Sequence, residues 1–187
     1  MGERQVTHLA RLVDDLLDVS RITRGRIELK RERVEVGAIV ARALELSSTL
    51  LEQRRQHFTL RVPTEGLALY GDATRLSQVV SNLVTNAAKY TEPGGHILVR
   101  AEREGENVVL SVRDDGIGIA PAMLDRVFDL FVQAEGACAR APGGLGIGLT
   151  LVKSLVELHG GHVEARSEGL GHGTEVRVSL PACAAAR

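Results

Sequence analysis

The chain has 187 residues, 44% apolar and 25% charged, with 23 basic and 24 acidic side chains and a net charge of −1. That is the balance of a globular domain long enough to bury a core without disulfides or a structural metal. It excludes a disordered tail, a collagen-like repeat and the basic surface of a nucleic-acid binder. No apolar run reaches membrane-spanning length, and the early acids Glu3, Asp14, Asp15 and Asp18 do not suit a secretory signal. The two cysteines, Cys138 and Cys183, form neither a zinc pattern nor a disulfide framework. A reducing, cytoplasmic location is expected, without direct membrane contact from this chain.

Residues 3–23 read as a helix with a narrow stripe of Val6, Leu9, Val13 and Leu16, off which Arg11, Asp14, Asp15 and Asp18 lie. It resembles one half of a bundle whose partner helix lies upstream. Residues 26–36 alternate as a strand, with Ile27 and Leu29 on one face. A helix at about 37–55 follows, then strands at 57–62 and 68–71. Asp72 is a candidate N-cap for a helix at 73–89 with Leu76, Val79, Val80, Leu83, Val84 and Ala87 inward. Beyond TEPGG at 91–95 the period becomes two, and 96–103 with 107–114 form a hairpin around 104–106. A short helix at 121–126, a loop at 132–144 and an apolar helix at 145–159 come next. A second hairpin, 161–168 with 172–181, closes the chain. The expected class is α+β, a mostly antiparallel sheet with helices on one face.

Four pieces carry chemistry. Asn82 and Asn86 share a face of the 73–89 helix, with Lys89 a further step along it. A lone Asn there more often bonds its own backbone. Two, with Lys89 and Tyr90 following, suit Mg²⁺ and phosphate, since a carboxamide oxygen is a hard ligand and Lys a point charge. Asp114-Asp115-Gly116-Ile117-Gly118-Ile119 leaves a strand with bare backbone and an acid able to accept a bond from an exocyclic amine, although a plain strand-exit turn reads the same way. Gly143-Gly144-Leu145-Gly146-Ile147-Gly148 runs into a helix N-terminus, an anion-binding arrangement. It lacks the spacing of a dinucleotide fingerprint and the Lys-Ser/Thr of a P-loop. Gly171-His172-Gly173-Thr174 alone is a hairpin turn.

In this order, QVVSNLVTNAAKYT (78–91), RDDGIGI (113–119), FDLF (128–131), GGLGIGL (143–149) and GHGT (171–174) resemble the N, G1, F, G2 and G3 boxes of sensor histidine kinases, in the style of hybrid, receiver-bearing ones. The stretch at 8–29 resembles the second helix of the dimerisation domain and its link. The resemblance implies a two-layer α/β sandwich, the Bergerat fold, over 26–187, with 1–25 as the end of the dimerisation and phosphoacceptor domain.

It also implies ATP and Mg²⁺ as cofactors. Asn86 would hold Mg²⁺ through the phosphates, Asn82 would support metal and phosphates, and Lys89 would face the phosphates. Tyr90 would pack by the adenine or ribose, and Asp114 would take the adenine amine, with Gly116, Gly118 and Ile119 around it. Phe128 and Phe131 would anchor the ATP lid, and Gly144, Leu145, Gly146, Ile147, Gly148 and Leu149 would wrap the triphosphate. Thr174 would close the adenine pocket, and Arg140 is a candidate γ-phosphate contact that reads more readily as a solvated loop residue. Implied partners are a phosphoacceptor helix of the same or a partner subunit and a response-regulator receiver domain, in a homodimeric full-length kinase.

The hydrolysing relatives carry Glu where this chain has Asn82. An amide cannot take a proton from water, so transfer to a supplied nucleophile is expected over hydrolysis. The acceptor pattern, His then an acid then Arg and Pro, is absent: His8 precedes Leu9, Ala10 and Arg11, and the other five histidines read as strand or turn residues at the surface. A nucleotide-binding interaction module without phosphotransfer is the alternative, and retention of every box speaks against it. A mostly monomeric fragment is expected.

Overall fold

The computed structural model describes residues 2–25, 27–132 and 146–183, without the side chains of 2–9, 11, 12 and 23. The chain runs α1 (Gly2–Thr23), β1 (Glu32–Glu35), α2 (Val36–Arg54), β2 (His57–Arg61), β3 (Ala68–Gly71), α3 (Ala73–Tyr90), β4 (His96–Glu104) and β5 (Asn107–Asp114). A 3₁₀ turn (Pro121–Arg126), α4 (Gly148–Leu158), β6 (His162–Arg166) and β7 (Thr174–Pro181) complete it. The large sheet has order β2-β4-β5-β7-β6, antiparallel except for the parallel β2–β4 pair.

Alternation along the strands sends Ile97, Val99, Ala101, Val108, Leu110, Val112, Val163 and Val178 into one core with α2, α3 and α4. The reverse face is charged and laced with pairs such as Arg177–Glu104 and Arg100–Glu102. The expected two-layer sandwich is therefore what forms. With so few aromatics, its core is built of valine, leucine, isoleucine and alanine.

All six inward residues read for the third helix are buried. Asp72 caps that helix, its Oδ1 accepting from the amides of Thr74 (3.0 Å) and Arg75 (3.1 Å). At the far end Gln56 Nε2 donates to the carbonyls of Ala88 and Thr91. The hairpin loop is one residue shorter than expected, because Glu104 pairs with Asn107.

One strand needs correction. The strand read at 26–36 shrinks to Glu32–Glu35, which pairs with β3 in a separate two-stranded sheet. Before it the Lys30 amide is taken by Asp72 Oδ2 (3.0 Å) and the Arg31 guanidinium by the Leu158 carbonyl (2.6 Å), so the backbone has partners outside any ladder. The stem helix leaves the apolar stripe read for a bundle partner outward and lays its other face on the body. Val13, Leu16 and Leu17 are 53%, 44% and 47% exposed, whereas Asp15, Asp18 and Val19 are buried against the body. There Asp18 Oδ2 accepts from Arg75 Nη1 at 2.6 Å and from Gln78 Nε2 at 3.1 Å.

Candidate active site

A single stripe of α3 gathers the first group. Asn82 is 6% exposed, deep enough that its amide must find a partner, and its Nδ2 has none among the described residues. Asn86, one turn on, is half-buried. The Lys89 ammonium sits 5.5 Å from the centre of the Tyr90 ring, a cation–π distance. Burial and then the Arg54 charge lower the Lys89 pKa, and burial raises that of Tyr90.

The end of α3 meets the loop after β5. The Tyr90 carbonyl accepts the Ile117 amide at 3.1 Å. A methyl at Gly116 would collide with that carbonyl, so only glycine lets the two segments close. Asp114 and Thr174 are directly paired between β5 and β7. The Asp114 carboxylate accepts from the amides of Gly116 (2.9 Å) and Thr174, yet burial pushes it up to about 6. Gly173 passes so close that a Cβ there would collide with the Asp114 carbonyl. Ser167 ties the two loops, its Oγ accepting from the Ile119 amide (3.0 Å) and donating to the Gly173 carbonyl (2.7 Å).

The third group lies at the start of α4. Phe131, at φ +62° and 62% exposed, donates its amide to the Gly146 carbonyl at 3.2 Å, bringing residues 131 and 146 together. Phe128 packs against the core, as do Ile147, fully buried, and Leu149. Gly148 opens α4, and a Cβ built there meets nothing nearer than the Asn82 carboxamide carbon at 4.0 Å. Bare backbone at a helix N-terminus thus stands beside a buried amide whose Nδ2 has no partner among the described residues. Arg140, Gly143, Gly144 and Leu145 lie outside the described residues.

A profile of the histidine kinase-, DNA gyrase B- and HSP90-like ATPases matches residues 71–184, which span all three groups. The chain belongs to this ATPase family. An uncharacterized sensor-like histidine kinase of Rhizobium meliloti is 38% identical over 175 residues, covering 94% of this chain and 33% of the relative. The circadian input-output histidine kinase CikA of Synechococcus elongatus is 35% identical over 179 residues, 93% of this chain and 23% of its own length. Full-length ShkA, solved in complex with AMPPNP, superposes with a TM-score of 0.78 at 33% identity, over 96% of this chain and 37% of that one. The chain thus spans about a third or less of the length of these kinases.

Within this ATPase domain, four residues escaped the sequence reading. Ser167 gave little signal beyond being a small polar residue before a glycine-rich turn. The Thr150 hydroxyl, in the first turn of α4, is another buried polar atom without a partner among the described residues. Asp72 was read as a cap, yet it also binds the linker at Lys30. His159 was read as a surface residue and is 4% exposed. Its position four after Leu155 and three after Val156, on the buried stripe of α4, is the pattern that would have revealed it.

The donor set fits a hydrated Mg²⁺ carried on phosphates. Carboxamide oxygen is a hard ligand, and among the described residues no cluster of three His, Cys, Asp or Glu is placed to hold a metal directly.

Proposed function

We propose that this chain is the ATP-binding catalytic domain of a protein-histidine kinase with the end of its dimerisation helix attached. It presents the γ-phosphoryl of ATP to a histidine on a phosphoacceptor helix, for relay to a receiver aspartate. The observation that carries this is Asn82, a buried amide whose Nδ2 has no partner among the described residues, beside the bare N-terminus of α4. Amides there, the helix dipole and Lys89 favour negative charge.

In this reading Asp114 accepts the adenine amine, Tyr90 packs against base or ribose, and Thr174 closes that pocket. Gly146 and Gly148 let the α4 amides approach the phosphates. Asn86, supported by Asn82, would hold Mg²⁺, whose chemistry is neutralisation of charge on the phosphoryl oxygens. Phosphoryl transfer asks mainly for positioning and charge. With an amide rather than a carboxylate at position 82, no side chain takes a proton from water, so transfer outruns hydrolysis.

The test is calorimetric titration with a non-hydrolysable ATP analogue, with and without Mg²⁺, beside Asp114→Asn. Micromolar-range binding that strengthens with Mg²⁺ and is lost in Asp114→Asn is the expected result. Absence of binding to the intact chain would overturn the assignment.

A further inference from the structure

Asp72 joins three parts of the fold at once. Its Oδ1 caps α3 through Thr74 and Arg75, its Oδ2 holds the Lys30 amide at 3.0 Å, and its own N–H donates to His159 Nε2 at 3.0 Å. His159 Nδ1 lies 2.7 Å from the Leu155 carbonyl. A carbonyl only accepts, so Nδ1 carries the proton, Nε2 is the acceptor, and the ring is neutral. A second proton, on Nε2, would point at the Asp72 N–H.

The same corner holds the stem. Arg75, one of the two capped amides, reaches Asp18 of α1 at 2.6 Å, and Gln78 reaches Asp18 and Asp15. Arg31 of the linker bonds the Leu158 carbonyl beside His159.

We propose that Asp72 and His159 form a proton-sensitive clasp that holds the linker and stem helix on the catalytic body near neutral pH and releases them on acidification. The charged groups facing the ring are Arg31 from the linker and Asp72 ahead of α3. Burial keeps the imidazole below its ordinary value, and Arg31 adds to this against the pull of Asp72. For a depressed histidine the stabilisation is complete above the unfolded value of 6.5 and is lost as pH falls through the folded one. Asp72 itself is pulled upward by burial, but its backbone donors outweigh this and leave it below the usual range, so it stays ionised while His159 titrates.

Hydrogen exchange of the α1 amides at pH 7.5 and 5.5, corrected for intrinsic rates, tests the clasp. Protection of residues 13–22 should fall by up to about tenfold at the lower pH while β4 and β5 keep theirs. His159→Gln, which retains an acceptor towards Asp72 and cannot titrate, should hold α1 protected at both values. Arg75→Ala should expose α1 at both. Unchanged α1 protection in the parent chain, or equal loss in His159→Gln, would overturn the proposal. Should that variant not fold, the ¹⁵N imidazole resonances of the parent chain decide. The Nδ1–H tautomer must hold at pH 7.5, and its protonation must coincide with α1 release.

Discussion

Burial lifts the Asp114 carboxyl to about 6 although the amides of Gly116 and Thr174 pull the other way, so the ionised form that a nucleobase amine needs opposes folding. Its contribution to stability is full below the unfolded value of 3.8 and is lost as pH rises through about 6. Ligand binding runs in the reverse direction. Adenosine affinity should fall as pH drops from 7.5 to 5, with a midpoint near the folded value, and Asp114→Asn should be weak and flat across the range. Titration of adenosine, which carries no phosphate to titrate, reads this directly. Two glycines separate steric need from ligand space. A Cβ at Gly173 would collide with the Asp114 carbonyl, whereas one at Gly148 meets only Asn82 at 4.0 Å. Gly173→Ala should therefore lower Tm sharply. Gly148→Ala should leave Tm unchanged or raise it, since Ala exceeds Gly in a helix by about 0.5–1 kcal/mol, yet weaken ATP-analogue binding about tenfold.

At the scale of elements, α3 is used twice along one polar stripe. Arg75 and Gln78 in its first turns receive the stem, and Asn82, Asn86 and Lys89 further along form the candidate site. Asp72→Ala removes the cap and leaves the Lys30 amide without its acceptor. A lost cap costs about 1 kcal/mol, so Tm should fall by several degrees, as thermal unfolding would register. The third helix was readable because local signals agree there, an N-cap followed by a 3.6-residue apolar period. The two hairpins were readable for the same reason, with strict alternation around a glycine. Residues 27–31 were misread since alternation survives in sequence although the partners, Asp72 and Leu158, are far along the chain. In the candidate site the motif residues were legible one by one. The geometry that relates them, such as Gly148 facing Asn82 or Ser167 bridging two loops, depends on contacts across the fold that no local pattern encodes.

Over the whole molecule, the face α1 buries decides what it offers outward. Sequence periodicity assigns the apolar stripe to a bundle partner and names no face for the body, where Arg75 and Gln78 supply partners for Asp15 and Asp18 that no helical pattern announces. Val13, Leu16 and Leu17 stay exposed over a short span. Two heptads of seam are too little for a stable bundle, so sedimentation at micromolar concentration should find mostly monomer. A concentration-independent dimer would contradict this. The aromatic poverty of the chain, two tyrosines and no tryptophan, has an optical consequence. Tyr70 stands in solvent, 60% exposed, and contributes a constant background. Tyr90 lies beneath an ammonium at the hinge between α3 and the glycine loop, so ultraviolet difference absorbance at its band would record events at that spot without any label.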